Sequence, residues 1–285
     1  MGSSDECHLE QEQRGGAYGR RGWLARLDLV FERRAGISVL AERRHSGPLV
    51  VQRPFYPEGD VCHVYVVHPP GGVVAGDELA LLARVLPHAH ALVTAPAAGK
   101  FYRSEGLTAR VAQVFTVEDG ILEWLPQENI LYPQTVAAIE TRVRLSGAGR
   151  FFGWEVACFG LRAQAEHFRR GELHQTLELE VDGDLVLCER QRIDWECITA
   201  RWGMAGNTVA GTLLAYPARA RDVDAARGAA QGDVILSCTL VDRAMICRAI
   251  AVRGDQLRHT FVAVWKALRP LLLQRAAVLP RVWAT

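Results

Sequence analysis

Short runs in which apolar and polar residues alternate occupy most of this chain. Examples are Leu27–Phe31, Val61–Val67 and Arg110–Val117, and turns rich in glycine, proline and charged residues separate them. Alternation with a period of two is typical of strands that bury one face. About 15 such strands at intervals of about ten residues predict a mainly β protein, built as a sandwich, a barrel or a solenoid.

Two Asp-Gly pairs predict the turns of β-hairpins. Asp119-Gly120 and Asp182-Gly183 each separate two alternating runs. Asp-Gly is favoured in two-residue loops between antiparallel strands, because such loops need positive φ angles. We therefore expect each pair to join two neighbouring strands of one sheet.

Helical periodicity is confined to the C-terminal part. Ala218–Ala230 favours one short helix, and two strands are expected near Val234–Leu240 and Ala244–Ala251. A longer helix is predicted to begin at Asp255 as its N-cap and to end or kink at Pro270. Its apolar positions recur at steps of three and four residues: Leu257, Phe261, Val264, Trp265 and Leu268.

Composition limits the class of protein. The chain has 285 residues, of which 49% are hydrophobic, so it is not a disordered polypeptide. Its 33 basic and 32 acidic residues give a net charge of +1, which argues against binding nucleic acid through bulk positive charge. Residues 1–21 are polar and rich in glycine and are expected to form a disordered extension, with 22–285 as a single domain.

Cysteine usage and hydropathy indicate a cellular compartment. The seven cysteines include no Cys-x-x-Cys pair, and most stand in apolar runs, as free thiols do in a reducing environment. The N-terminus has no apolar signal segment, and no run of about 18 apolar residues exists. We expect a cytoplasmic protein with no membrane association.

Sulfur and imidazole groups cluster at one place in the sequence. Cys62, His63 and His68 are expected on one strand, and such donors suit nickel, copper or zinc. No compact set of three or four ligands occurs there, which favours a core cysteine and turn histidines over a permanent site. A transient, weak site remains open.

Three glutamates stand within apolar, strand-like runs: Glu123, Glu155 and Glu189. Alternation could point each of them to solvent. If they point inward, burial requires a partner, water or a cation, and the interior would enclose a polar passage. No Gly-x-Ser-x-Gly or His-Glu-x-x-His motif accompanies them, so the sequence does not predict an enzyme.

A basic and aromatic segment follows a glycine turn: Lys100, Phe101, Tyr102 and Arg103. One interpretation is a contact surface for a partner. The other is the start of a strand whose lysine extends its stem along the protein surface. The residues leave both interpretations open.

Several long segments resemble the family of the urease accessory protein UreD, called UreH in some bacteria. The similarity runs in register from about Trp23 to Thr285. Its most specific segments begin Gly-Pro-Leu-Val-Val-Gln, Cys-His-Val-Tyr and Gly-Lys-Phe-Tyr, and in all they comprise residues 47–58, 62–78, 99–104, 122–128, 211–217 and 278–285.

The resemblance implies a fold and a role. It implies an elongated, β-helix-like or solenoid-like body of many short strands with a small helical C-terminal part. It also implies a protein that is not an enzyme, that binds UreF and, through UreF, the GTPase UreG, and that docks on the urease apoprotein. Nickel(II) would pass transiently through an internal tunnel, with no permanently bound cofactor. The alternative is a purely structural bridge between UreF and urease, with nickel travelling by another route.

The resemblance also implies site residues. The tunnel-lining acids fall at Asp77, Glu78, Glu155 and Glu189. The residues themselves add Cys62, His63, His68 and Glu123 as weaker metal candidates, and Lys100, Phe101, Tyr102 and Arg103 as candidate partner contacts. The apolar face of the C-terminal helix, with Phe261 and Trp265, is expected to serve partly as core and partly as a partner surface, because this part of the family meets UreF. Carboxylates suit the role, since a cation held by weak oxygen donors can be released, whereas a cage of sulfur and nitrogen donors would trap it.

Overall fold

The computed structural model describes residues 22–161, 164–230 and 232–284, so the expected extension at 1–21 lies outside the described residues. Within this part the chain forms seventeen strands and three α-helices. The prediction of a mainly β protein is confirmed. None of the helices in the described ranges combines the length and the apolar character needed to cross a bilayer.

The first sheet has seven strands. The outer pair at each edge is antiparallel, and the strands between them run parallel. From edge to edge the strands are β14 (Asp184–Asp194), β13 (Glu172–Val181), β11 (Val136–Ser146), β8 (Ala109–Glu118), β5 (Glu78–Val85), β1 (Leu24–Arg34) and β2 (Ile37–Ser46).

The second sheet has ten strands and mixes parallel with antiparallel pairs. Its main path is β16 (Ile235–Val241), β17 (Ala244–Ala251), β15 (Val209–Tyr216), β12 (Arg150–Phe159), β9 (Ile121–Leu125), β6 (His90–Thr94), β4 (Cys62–Val67) and β3 (Val50–Val51). Two short strands extend it: β10 (Asn129–Leu131) pairs in parallel with β12, and β7 (Gly99–Phe101) pairs in parallel with β10.

From β4 to β13 the chain passes back and forth between the two sheets. β5, β8 and β11 lie in the first sheet, whereas β6, β9 and β12 lie in the second. In each of these two series, a strand pairs in parallel with the preceding strand of the same sheet, so equivalent residues of successive strands stack beside one another.

The hairpin predictions made for the two Asp-Gly turns have different outcomes. Asp182-Gly183 joins the antiparallel strands β13 and β14, so this hairpin is confirmed. Asp119-Gly120 instead carries the chain from β8 in the first sheet to β9 in the second, so the hairpin predicted there is wrong. Gly120 is needed for close stacking, because a Cβ atom there would lie 2.8 Å from Val85 and 2.9 Å from the backbone oxygen of Leu86.

Two apolar cores separate three layers. One core lies between the sheets and contains Phe31, Phe115 and Phe151. The other lies between the second sheet and the helices and contains Trp154 and Phe261. Neighbouring residues of β12 enter opposite cores, as the period of two in a strand requires.

The helices are α1 (Trp195–Thr199), α2 (Ala220–Gly228) and α3 (Gly254–Leu273). The predicted short helix is confirmed as α2. The long helix is confirmed as α3, but Arg253 rather than Asp255 is its N-cap, and Pro270 lies inside the helix. Pro270 does not end it because the following turn buries Leu272 and Leu273, and this packing outweighs one missing hydrogen bond.

Gly211 of β15 sets the distance between the second sheet and α3. An added Cβ would lie 2.7 Å from Leu257 and 2.8 Å from Phe261. We expect Gly211→Ala to lower the free energy of unfolding by about 1–3 kcal/mol through overpacking. Urea denaturation of the full chain measures this change.

Gly228→Ala is the matched control, because the same added methyl meets nothing within 4 Å at the end of α2. We expect that variant to be neutral or more stable by up to about 1 kcal/mol. Equal losses at the two positions would contradict the role given to Gly211.

Candidate functional site

Two cavities lie between the sheets in the described part of the chain. The larger has a volume of about 330 Å³ and a mostly apolar lining, interrupted by six polar side chains: His68, Lys100, Gln113, Gln127, Asn129 and Glu155. The smaller has a volume of about 30 Å³, and its polar lining comes from Thr141, Glu155, Gln175, Thr176, Glu189, Gln191 and Thr212. Both contain groups that bind cations or water.

Glu155 and Trp124 line both cavities. Glu155 therefore lies between the wide cavity and the narrow one. Glu189 lines the narrow cavity only. The structure thus brings together two of the four acids predicted for a tunnel.

Strand register explains why polar groups meet here. In the first sheet one row of opposed residues runs from apolar Leu27 and Leu81 through Gln113 and Thr141 to Leu177 and Glu189. In the second sheet Glu155 pairs with Thr212, which pairs with Arg248. The polar ends of these two rows face each other across the interior.

Glu155 is held by neutral donors. Its carboxylate accepts hydrogen bonds from the Thr141 hydroxyl and, at 3.0 Å, from the Gln175 amide. Burial raises the pKa of Glu155 above its ordinary value, against the opposite effect of the hydrogen bonds from Thr141, Gln175 and Gln113. An approaching cation would favour the charged form of this carboxylate.

Glu189 is paired with a cation from the protein. Nε and Nη2 of Arg248 donate to its two oxygens at 2.7 and 2.9 Å, and the Gln191 amide donates as well. The Glu189 side chain is 14% exposed, whereas that of Arg248 is 45% exposed. The arginine can therefore leave this pair toward solvent without breaking the core.

Asp77 and Glu78 line neither cavity. The Asp77 carboxylate accepts from the backbone N–H groups of Trp23 at 2.7 Å and Val74 at 2.9 Å, and so ties the start of the first strand to a turn. The Glu78 backbone N–H donates to the Trp23 oxygen at 2.9 Å. The structure places both acids beside the start of β1 and away from these two cavities.

His68 lines the larger cavity. Burial lowers the pKa of His68, although the charge of Asp77 acts in the opposite direction. A neutral imidazole retains a lone pair that can bind a cation. Of the weaker metal candidates, His68 alone faces a cavity.

Glu123 belongs instead to a buried charge cluster. Arg269 of α3 donates to both oxygens of Glu123, at distances of 2.8–3.1 Å, and to both oxygens of Glu58, at 2.8 Å. His90 lies 2.7 Å from Glu123, and His63 lies 2.7 Å from Glu58. We call these five residues the Arg269 cluster, and it fastens α3 to the second sheet.

The cluster corrects the prediction that Glu123 and His63 contact a tunnel. Both side chains are fully buried and already hydrogen-bonded. Burial alone would raise the pKa of Glu123, but the hydrogen bonds and charges of His90 and Arg269 lower it to about 2. The carboxylate is therefore a permanent anion with a permanent partner.

Cys62, Phe261 and Trp265 also belong to the interior of the chain. Burial raises the pKa of the Cys62 thiol to about 11, so it stays protonated and is a poor metal ligand. Phe261 and Trp265 are 0% exposed, and the Trp265 indole donates to Glu123 at 2.6 Å. The prediction that these two aromatic residues contact a partner is corrected to a role in the core.

The segment after the glycine turn is divided between core and surface. Phe101 is buried, and its predicted surface role is corrected. Lys100, Tyr102 and Arg103 are exposed, and the Tyr102 ring packs edge-to-face on Tyr132. Three of the four predicted contact residues therefore remain available to a partner.

Sequence reasoning missed the neutral polar groups and the arginines of these sites. Gln113, Thr141 and Gln175 carry no charge, and their pattern in the sequence is that of ordinary strand residues. Arg269 had a detectable signal, since it lies four residues after Trp265 on the apolar face of a helix. Within the described ranges no three His, Cys, Asp or Glu side chains are grouped so that they could hold a metal ion.

Comparison with known proteins decides the family. The family model described as "UreD urease accessory protein" matches residues 24–284. The chain belongs to the UreD family. The residues outside the match are 1–23 and 285.

Curated relatives agree with this assignment. The chain is 42% identical over 268 residues to the urease accessory protein UreD of Citrobacter koseri, with 93% of each chain covered. It is 40% identical to UreD of Klebsiella aerogenes, covering 93% of this chain and 98% of that one. It is 41% identical over 266 residues to UreD of Pseudomonas putida, covering 93% and 95%.

Removing the cation of the Arg269 cluster should destabilise the fold. Arg269→Gln removes the guanidinium that two buried carboxylates share and leaves them only their histidine partners, and we expect a loss of about 3–5 kcal/mol in the free energy of unfolding. Arg275→Gln is the control, because its pair with Asp60 is partly exposed. That variant should lose about 0–1 kcal/mol in the same urea titration, and a comparable loss in both would contradict the cluster's role.

Glu123 should make stability depend on pH. Because its folded pKa of about 2 lies below its ordinary value of 4.5, its stabilising effect is complete above pH 4.5 and is lost toward pH 2. We expect the wild-type chain to be more stable than Glu123→Gln at pH 7, and this difference should shrink as the pH falls through that window. A difference that stays constant in urea titrations between pH 7 and 2.5 would contradict the assignment.

Proposed function

We propose that this chain is a non-catalytic accessory protein of urease maturation that conducts nickel(II) between its two sheets to the urease apoprotein. Membership of the UreD family supports the role in urease maturation. The observation that supports conduction is the position of Glu155, which lines both the wide and the narrow cavity. In this proposal nickel is a cargo and no cofactor is bound permanently.

The proposed path runs from the wide cavity, past Glu155, to Glu189. The passage of the chain back and forth between two sheets supports the β-helix-like body that we propose, in which an interior runs lengthwise. His68 contributes an imidazole to the wide cavity. Asp77 and Glu78 are not part of the proposed path.

The size of the narrow cavity has a chemical consequence for the ion. About 30 Å³ has room for only one or two water molecules. A hydrated cation must therefore lose most of its water there, and the oxygens of Glu155, Glu189 and Thr141 would replace it. Oxygen donors bind nickel weakly compared with sulfur and nitrogen, so the ion can move on.

Arg248 would control access to Glu189. Its guanidinium holds both Glu189 oxygens, so an arriving divalent cation must displace it. The exposed arginine side chain has solvent to move into. Exchange of one cation for another avoids leaving a partly buried carboxylate without a counter-charge.

Partners and compartment complete the proposal. UreF would bind this chain, UreG would join through UreF, and the assembly would dock on urease apoprotein in the cytoplasm. Lys100, Tyr102 and Arg103 are exposed beside the wide cavity, which Lys100 also lines, and they are the candidate contacts. A second candidate function is a purely structural bridge, which is favoured by the pairing of Asp77 with backbone groups and of Glu189 with Arg248.

Glu155→Gln and Glu189→Gln test conduction. Both changes keep the shape of the side chain and remove the charge that attracts a cation. We expect urease matured with either variant to contain several-fold less nickel, measured by elemental analysis of purified urease. Co-purification of the variant with UreF and urease apoprotein should be unchanged.

Glu180→Gln is the matched control, since this carboxylate faces solvent in a weak pair with Arg144 at 3.6 Å. It should leave both nickel content and co-purification as in the wild type. If Glu155→Gln, Glu189→Gln and their combination all yield fully loaded urease, conduction through this passage is wrong and the structural bridge is supported. Loss of co-purification would show instead that these acids maintain the assembly.

A further inference from the structure

Two cysteines face each other in the hairpin at the edge of the second sheet. Cys238 of β16 is the register partner of Cys247 of β17. Both are buried and both are free thiols. Within the described residues no other two cysteines are partners in strand register.

The hairpin places this pair at a spacing that suits a disulfide. Val241 and Ala244 flank a two-residue loop and therefore form a hydrogen-bonded pair. Pairs alternate along the ladder, so the third pair beyond it, Cys238 with Cys247, is a non-hydrogen-bonded pair. The Cα atoms of such pairs lie about 4.5 Å apart, which is within the range of about 4.4–6.8 Å found in disulfides.

A positive charge lies beside the two thiols. Interaction with Cys247, and then the positive charge of Arg227, lower the pKa of Cys238 despite its burial, and the pKa of Cys247 is raised. Arg227 of α2 also donates to the backbone oxygen of Cys238 at 2.8 Å. Because Arg227 lies against the Cys238 backbone, its charge favours a nucleophilic thiolate in this pair.

The location allows a small oxidant to reach the pair. β16 is the edge strand of its sheet, and most of its other side chains are at least partly exposed. The short helix α2 covers it on one face. Edge elements of this kind open locally at a lower free energy than the core.

We infer that Cys238 and Cys247 form a redox-active cross-strand dithiol, which a peroxide converts to an intramolecular disulfide. The Cys238 thiolate attacks one peroxide oxygen, the O–O bond breaks, and the leaving hydroxide takes a proton to become water. The Cys247 sulfur then attacks the sulfenic sulfur, the S–O bond breaks, and the proton of the second thiol leaves with that oxygen as water. Two thiols are oxidised and one peroxide is reduced to two waters.

The disulfide would fix the edge hairpin on which α2 packs. A covalent link between β16 and β17 reduces the conformational freedom of the open state. We therefore expect backbone amides of these two strands to exchange with solvent on the order of tenfold more slowly after oxidation. This inference stands independently of nickel conduction.

Peptide mapping of the full chain tests the inference. The protein is treated with hydrogen peroxide in slight excess, remaining thiols are alkylated, and trypsin cleaves after Arg243 in the loop between the two cysteines. We expect the peptide that ends at Arg243 and the peptide Ala244–Arg248 to be linked, with the linked mass lost on reduction. Hydrogen exchange on the same sample should show slower exchange in β16 and β17.

Two variants serve as controls. Cys188→Ser removes an exposed cysteine whose register partner is Glu178 rather than a cysteine, and it should leave the link unchanged. Cys247→Ser should abolish the link and allow Cys238 to accumulate as sulfenic or sulfinic acid. The inference is overturned if both thiols of the wild-type chain remain fully alkylatable while Cys188 is oxidised, or if links form to other cysteines instead.

Discussion

The architecture depends on one constraint: the strands that the chain adds in succession to the same sheet pair in parallel and in register. Because equivalent residues stack across β1, β5, β8, β11 and β13, the positions that face the interior form continuous rows across the sheet. The apolar part of each row makes a dry core. The polar part, from Gln113 and Thr141 to Glu189, is the section of its row whose side chains can bind water.

The alternation of apolar and polar residues predicted the strands well, because a strand needs only an apolar inner face and a polar outer face. It did not predict which strands pair. Asp119-Gly120 has the composition of a hairpin turn, yet the chain changes sheet there and Gly120 packs closely against Val85. Pro270 was expected to end or kink a helix, but the helix continues to Leu273, where the residues that follow the proline are buried.

The candidate site was predictable in part for the same reason. Glu123 and Glu155 look alike in sequence, since each is a lone acid in an apolar strand. Arg269, which lies 146 residues beyond Glu123 in the chain, makes that acid a permanent ion pair. Glu155 has neutral neighbours and a cavity on each side. Only contacts between distant segments distinguish a structural carboxylate from one that can accept a passing ion.

The step from about 330 Å³ to about 30 Å³ at Glu155 has a consequence for selectivity. A wide cavity can admit an ion that still carries a small organic chelator, such as an amino acid or a hydroxy acid. The narrow one has no room for such a molecule. A route of this shape would pass the cation and exclude its chelator. The chemical form in which nickel is supplied would then matter as much as its concentration.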